Sequence, residues 1–206
     1  NTNRQDNWND IAGGASNGSG TQNSLVDSNG AATGVDLTWS GTDIGGSTNW
    51  PGSTNDGILL SGFLLGFNAT ASASFSGLSS TFSNFYDVIV YISADGIIEA
   101  PDIALRQGGN IVASGTVNDT VAGGAQFNFP TDYNEASLDS DGNYIVFHGL
   151  SGDSLVVESS QAMGNGIISG VQIVSNTVPE PSVYAAAAGL LALAAAVLRR
   201  RFASRR

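Results

Sequence analysis

Short apolar runs with a period of two residues, separated by clusters of Gly, Asn, Asp and Ser, constrain this 206-residue sequence more than any other feature. Apolar residues at every second position are typical of β-strands, and the residue types between the runs favour turns. About ten such runs, with no helical stripe among them, predict an antiparallel β-sandwich or jelly roll over residues 1–175. Residues 12–34, rich in Gly, Ser and Asn, are predicted to form an irregular loop.

Three segments show how the strands are expected to be placed. Val88–Ile92 is apolar at every position, which is typical of a central strand buried on both faces. Ala69–Ser76 alternates and is expected to have one solvent-exposed face, and Gln107–Asn110 predicts a tight hairpin turn. The predicted strands are Val35–Ser40, Ile58–Leu65, Ala69–Ser76, Asp87–Ser93, Ile103–Gln107, Ile111–Gly115, Gln126–Phe129, Asn143–His148, Ser154–Glu158 and Ile168–Val174.

Composition excludes several classes of protein. The chain has no Cys, which excludes a disulfide framework and any zinc or redox site built on cysteine. Its net charge of −11 argues against a nucleic-acid partner. All seven basic residues are Arg, and they are unevenly distributed: residues 1–178 hold two Arg and seventeen acids, a net charge of −15, whereas residues 179–206 hold five Arg and one acid, a net charge of +4. Such a division indicates two parts that face different environments.

The C-terminal segment is predicted to cross a membrane. Residues 183–198 are sixteen uncharged, mostly Ala and Leu residues, which as a helix would extend about 24 Å, slightly less than a bilayer core. The alternative, a buried helix of a soluble domain, leaves the Arg cluster at 199–206 unexplained. The positive-inside rule places Arg199, Arg200 and Arg201 in the cytoplasm and residues 1–178 on the opposite side of the membrane.

Residues 176–182 are predicted to form a linker that contains Pro179, Glu180 and Pro181. Two prolines fix φ and oppose helix formation, so this motif is expected to stay extended, as a protease cleft requires. Followed by an apolar segment and a terminal Arg cluster, the motif resembles the PEP-CTERM sorting signal of Gram-negative bacteria. The resemblance implies an exosortase-type membrane protease as partner and an inner-membrane-anchored precursor. Substrates of this family need a signal peptide, and none is seen at Asn1, so it is expected to have been removed or to lie upstream of this fragment.

The N-terminal part resembles, more loosely, an ectodomain type found among PEP-CTERM proteins. The matching pieces occur in order along the chain, among them Leu25–Gly30, Phe85–Tyr91, Gly142–Phe147, Leu150–Ser154 and Gly170–Val174. The resemblance implies a galactose-binding-like jelly roll. A shared fold does not by itself determine function.

Candidate chemistry is sparse. His148 is the only His and follows Tyr144 and Val146 on one strand face. It could belong to a Ser/His/Asp triad or have a structural role. The structural role is preferred because the sequence has no Gly-x-Ser-x-Gly motif. Asp139, Asp141 and Asn143 have the spacing of oxygen ligands in a calcium loop, although a polar β-turn before a strand is the preferred interpretation because the EF-hand pattern is incomplete.

Aromatic residues offer a second candidate site. Trp50, next to Pro51 in a Gly/Ser-rich loop, and Tyr133 are candidates for stacking on sugars, whereas Trp39 lies in a predicted strand and is expected in the core. The sequence as a whole predicts a non-enzymatic exported protein of the cell surface, outer membrane or extracellular matrix, linked to exopolysaccharide. The alternative is a carbohydrate-binding module. No cofactor is expected, apart from a structural Ca²⁺ if the calcium loop forms.

Overall fold

The strands and turns of this protein were assigned from a computed structural model, which describes residues 9, 18–46, 62–92, 101–118, 140–141, 144–161 and 164–176. The chain divides into two units, Asn1–Asn176 and Thr177–Arg206, and every described residue belongs to the first. The predicted strand at 126–129, the segment 183–198 and the Arg cluster lie outside the described residues.

The described elements are almost all strands. They are β1 (Ser19–Gln22), β2 (Asp36–Ser40), β3 (Asp43–Gly46), β4 (Gly62–Gly66), β5 (Ala71–Ser76), α1 (Leu78–Thr81), β6 (Phe85–Tyr91), β7 (Asp102–Gln107), β8 (Asn110–Asn118), β9 (Ser140–Asp141), β10 (Tyr144–Leu150), β11 (Ser154–Ser160), β12 (Gly166–Ile168) and β13 (Gly170–Asn176). This confirms the all-β class. Among the described residues, no helix has the length and apolar character needed to cross a bilayer.

Three sheets contain these strands. A seven-stranded sheet has the order β1-β2-β5-β11-β7-β8-β9, and two three-stranded sheets have the orders β10-β6-β13 and β12-β4-β3. Every described pairing is antiparallel except that of β8 with β9. From β5 to β13 the chain passes repeatedly between the first sheet and the β10-β6-β13 sheet, so several strands that pair with each other, such as β5 with β11 and β6 with β13, are distant in sequence.

One apolar cluster joins all three sheets. The seven-stranded sheet contributes Phe75, Ile103 and Leu155, the β10-β6-β13 sheet contributes Val88, and the third sheet contributes Leu64. In β5 and β11 every second residue is buried, because alternate side chains of a strand point to opposite faces and one face covers the core. The sheets therefore form a sandwich around a shared core.

The strand β6 is buried on both of its faces. Val88, Ile89, Val90, Tyr91 and Ile92 are each at most 4% exposed, as the apolar run predicted. The strand lies between β10 and β13. On the face that carries Ile89, the Tyr91 hydroxyl bonds the buried Gln172 side chain at 2.9 Å. A buried amide and a buried phenol therefore satisfy each other's hydrogen-bonding groups on this second face of β6.

The predicted hairpin is present between β7 and β8. Gln107 pairs with Asn110, and the two glycines between them have φ of 54° and 84°, the left-handed values that a type I′ turn requires. Tyr86 connects this hairpin to the turn after β10: its hydroxyl accepts a hydrogen bond from Gln107 at 3.1 Å, while the Gln107 amide also donates to the carbonyl of Ser151. Burial raises the pKa of Tyr86, so the phenol stays protonated.

Several details differ from the sequence prediction, which did not include β3 or β9. The segment 12–34, predicted as irregular loop, contains β1, which pairs with β2. The prediction was wrong there because the segment is rich in Gly and Ser and has no apolar period, whereas the pairing of β1 depends on backbone hydrogen bonds. The predicted strand Ile168–Val174 is two strands, β12 and β13, which belong to different sheets. Ser169 separates them, and its N–H bonds the Tyr91 carbonyl at 2.9 Å.

Two glycines with similar backbone angles offer a test of this packing. Gly77 (φ 77°) and Gly109 (φ 84°) both occupy the left-handed region. A Cβ on Gly77 would collide with the backbone oxygen of Gly34, whereas a Cβ on Gly109 would meet nothing within 4 Å.

We therefore expect Gly109→Ala to lower the free energy of unfolding by about 1 kcal/mol, the cost of left-handed backbone alone. Gly77→Ala adds a backbone collision and is expected to cost at least about 2 kcal/mol more. Urea denaturation of both variants measures the difference. Equal losses would show that Gly34 does not lie against Gly77.

Candidate functional site

Asp87 joins the three strands of the β10-β6-β13 sheet at one end. Its Oδ2 lies 2.8 Å from Nδ1 of His148, while its Oδ1 accepts hydrogen bonds from the Gly149 N–H and the Asn176 side-chain amide, each at 2.8 Å. Asp87 is in β6, His148 and Gly149 are in β10, and Asn176 ends β13. We call these four residues the Asp87 cluster.

The carboxylate of Asp87 is stabilised in its ionised form. Burial opposes ionisation, since the side chain is only 17% exposed, but the bonds from Gly149, His148 and Asn176 outweigh it and hold the pKa of Asp87 below its usual value. Because the carboxylate is ionised, the His148 Nδ1–H donates to it. The His148 side chain itself is 68% exposed.

An aspartate that orients an exposed imidazole is part of many general-base sites. A hydrolytic triad also needs a hydroxyl bonded to the imidazole, and among the described residues no serine makes such a bond. The geometry shows that His148, Gly149 and Asn176 connect three strands through a single carboxylate. The position of Asp87 opposite His148 follows from strand pairing and has no signal in the sequence.

A partly open apolar cleft of about 490 Å³ lies elsewhere in the sandwich, between β2, β4, β5 and β13. Four aromatic residues line it, Trp39, Phe63, Phe75 and Phe82, together with aliphatic residues such as Val171. Trp39 packs against the core, as its place in a strand predicted, but it is only partly buried there. Sequence reasoning did not identify this cleft, because its walls come from strands far apart in the chain.

Polar groups occur at the border of this cleft. The Asn9 side chain makes two hydrogen bonds with the backbone of Val26, one from its amide to the carbonyl and one from the Val26 N–H to its oxygen, both 2.8 Å. Asp27 accepts bonds from the N–H groups of Ala31 and Asn29, which lower its pKa. Asp27 is the only charged side chain among the described residues that line the cleft.

Most site residues predicted from sequence lie outside the described residues. This holds for the sorting motif Pro179, Glu180 and Pro181, the arginines at 199–201, the calcium candidates Asp139 and Asn143, and the stacking candidates Trp50 and Tyr133. Asp141 lies in β9, paired with Asn118. Within the described residues, no three His, Asp or Glu side chains come together as a metal site requires. The calcium and sugar sites stay predictions.

Comparisons of the chain with protein-family models, curated proteins and solved structures find no match. The fold and the sites therefore have to be interpreted from their own geometry.

Removal of the Asp87 carboxylate tests the importance of its cluster. In Asp87→Ala, the Gly149 N–H and the Asn176 amide both lose their acceptor, so we expect a loss of about 2–3 kcal/mol in the free energy of unfolding. His148→Ala is the matched control: it removes one hydrogen bond from a mostly exposed side chain and is expected to cost less than about 1 kcal/mol. Urea denaturation at neutral pH gives both values. Equal losses of unfolding free energy in the two variants would show that the bond from His148, and not those from Gly149 and Asn176, supplies the stability.

Acid should remove the contribution of Asp87. Because its folded pKa is lowered, the stabilisation is complete above the unfolded pKa of about 3.9 and is lost as pH falls through the lower folded value. The difference in unfolding free energy between the wild type and Asp87→Ala is thus expected to stay constant down to about pH 5 and to narrow towards about pH 3. A difference in unfolding free energy that widens as the pH falls would contradict an ionised Asp87 carboxylate in the folded protein.

Proposed function

We propose that this protein is a non-enzymatic, exported surface or extracellular-matrix protein that is sorted through its C-terminal segment. The observation that carries the proposal is the order of three features there: Pro179–Glu180–Pro181, the uncharged residues 183–198, and the arginines from Arg199 onward. Each feature alone is common. Together they have the form of a PEP-CTERM signal, and five of the seven Arg of the chain lie in this short segment.

The charge distribution supports a precursor anchored in the inner membrane. Arginines beside an apolar segment favour the cytoplasmic side, because positive charge is retained there during insertion. The acidic, Lys-free residues 1–178 would then be exported. Cleavage by an exosortase-type protease near Pro181 separates this domain from its anchor and releases it to the cell surface or to an exopolysaccharide matrix.

For the exported domain, we propose a jelly roll of the galactose-binding-like type. The path of the chain supports it: β5, β7 and β11 lie in the seven-stranded sheet, and β6, β10 and β13, which alternate with them along the chain, lie in a second sheet. Strands that alternate between two sheets are characteristic of jelly rolls.

Mass spectrometry of the exported protein tests the sorting proposal. The full gene is expressed in a Gram-negative host with and without a membrane exosortase, and the mass of the exported form is compared. We expect a form that lacks the residues from Ser182 onward only where the protease is present. If those residues are retained in both strains, the proposal is wrong.

Variants at the motif make the test specific. Glu180→Ala should abolish processing, because the motif loses its only charged side chain, while Thr177→Ala, three residues upstream, should be processed like the wild type. Both variants keep the apolar segment and the arginines. Equal processing of the two would show that Pro179–Glu180–Pro181 is not the recognised element.

A further inference from the structure

The core of the sandwich is incompletely covered at one place. Among the residues that the structure describes, nine hydrophobic ones pack against the core while staying partly exposed. Seven of the nine line the apolar cleft: Leu25, Trp39, Ile44, Phe63, Phe82, Val171 and Ile173. Incomplete burial is thus concentrated on one surface instead of being scattered, as it would be for ordinary boundary residues.

Two aromatic residues of the cleft lie against glycines of neighbouring strands. Gly20 lies opposite Trp39 in the β1–β2 pair, and Gly45 lies opposite Phe63 in the β3–β4 pair. A Cβ on Gly20 would collide with the indole, and a Cβ on Gly45 would collide with the phenyl ring. The positions of both rings therefore depend on glycine in the neighbouring strand.

Buried polar atoms without partners also occur at this cleft. Among the described residues, three buried side-chain atoms lack a hydrogen bond, and two of them belong to residues that line the cleft: Nε1 of Trp39 and Oγ of Ser169. A buried indole N–H normally has an acceptor. Both atoms lie beneath the accessible lining and do not reach the open space, so the walls that a ligand meets are mainly apolar.

The charge of the cleft selects against anions. Its described lining contains no Lys, Arg or His, and its one charged group, Asp27, has a lowered pKa and stays ionised at neutral pH. An anionic ligand would meet a carboxylate and find no counter-ion. The cleft volume of about 490 Å³ falls within the range of small-molecule sites.

We propose that the cleft between β2, β4, β5 and β13 binds an uncharged, mainly apolar small molecule. The aromatic and aliphatic walls bury its apolar body. This site is independent of the C-terminal sorting segment, so the two proposals can fail separately.

Fluorescence of N-phenyl-1-naphthylamine, an uncharged apolar dye, tests the site in the full chain. We expect saturable enhancement with one site per chain. Decanol should displace the dye at a concentration at least tenfold lower than decanoate at pH 8, because the two differ mainly in charge. Absence of saturable binding, or displacement by decanoate at the same concentration as decanol, would overturn the proposal.

A variant that fills the cleft shows where the dye binds. Gly62 lines the cleft, and a Cβ there would meet nothing within 4 Å, so Gly62→Phe is expected to weaken dye binding at least tenfold while the fold is retained. Ser114→Phe adds the same ring at an exposed position of β8 outside the cleft and should leave dye affinity unchanged. Equal affinities of the two variants would place the dye on the general surface and refute the site.

A second variant covers the case in which Gly62→Phe unfolds, as judged by circular dichroism. Thr81 lines the cleft but is exposed, so Thr81→Trp obstructs the cleft without changing the core. It too should lower dye affinity by several-fold or more. Wild-type affinity in this folded variant would overturn the proposal.

Discussion

Contact between the inner faces of the sheets is the interaction on which the rest of this structure depends. Residues of all three sheets form one apolar cluster, and β6 and β11 occupy central positions in their respective sheets. Since β6 is buried on both faces, removing it would expose the core and leave β10 and β13 without their shared partner. Burial of apolar surface from strands distant in sequence therefore decides the architecture. Tight turns such as Gly108–Gly109 allow consecutive strands to pair within it.

The same core explains the contrast between the two sites. At the Asp87 cluster, a carboxylate satisfies three donors from β10 and β13 and closes the end of a sheet. At the cleft, aromatic rings lie against Gly20 and Gly45, and hydrophobic residues that pack against the core stay partly exposed. The first region pairs its polar groups and the second leaves apolar surface uncovered, which is why we assign the first to stability and propose binding at the second.

The sequence predicted those parts of the fold that local pattern determines. The apolar run at 88–92, the alternation at 69–76 and the Gly-Gly hairpin each follow from periodicity or turn chemistry. The structure confirms all three, with the alternating strand beginning at Ala71 instead of Ala69. The strand β1 was missed because Ser, Gly, Thr and Gln carry no apolar period, and the division at Ser169 was missed because the apolar residues continue through it. Neither the Asp87 cluster nor the cleft was predictable, since both depend on which strands become neighbours, a property of tertiary packing that no local pattern encodes.

Native-state hydrogen exchange of the full chain tests the central claim most directly, namely that a single core shared by all sheets holds the domain together. We expect the amides of Val88, Val90 and Val157, in β6 and β11, to exchange slowest and to give one common free energy equal to that of global unfolding. Amides of the edge strands β1 and β3 should exchange faster through local opening. If β6 exchanged as fast as β1, or if β6 and β11 gave clearly different free energies, the sheets would not share one cooperative core and the account would be contradicted.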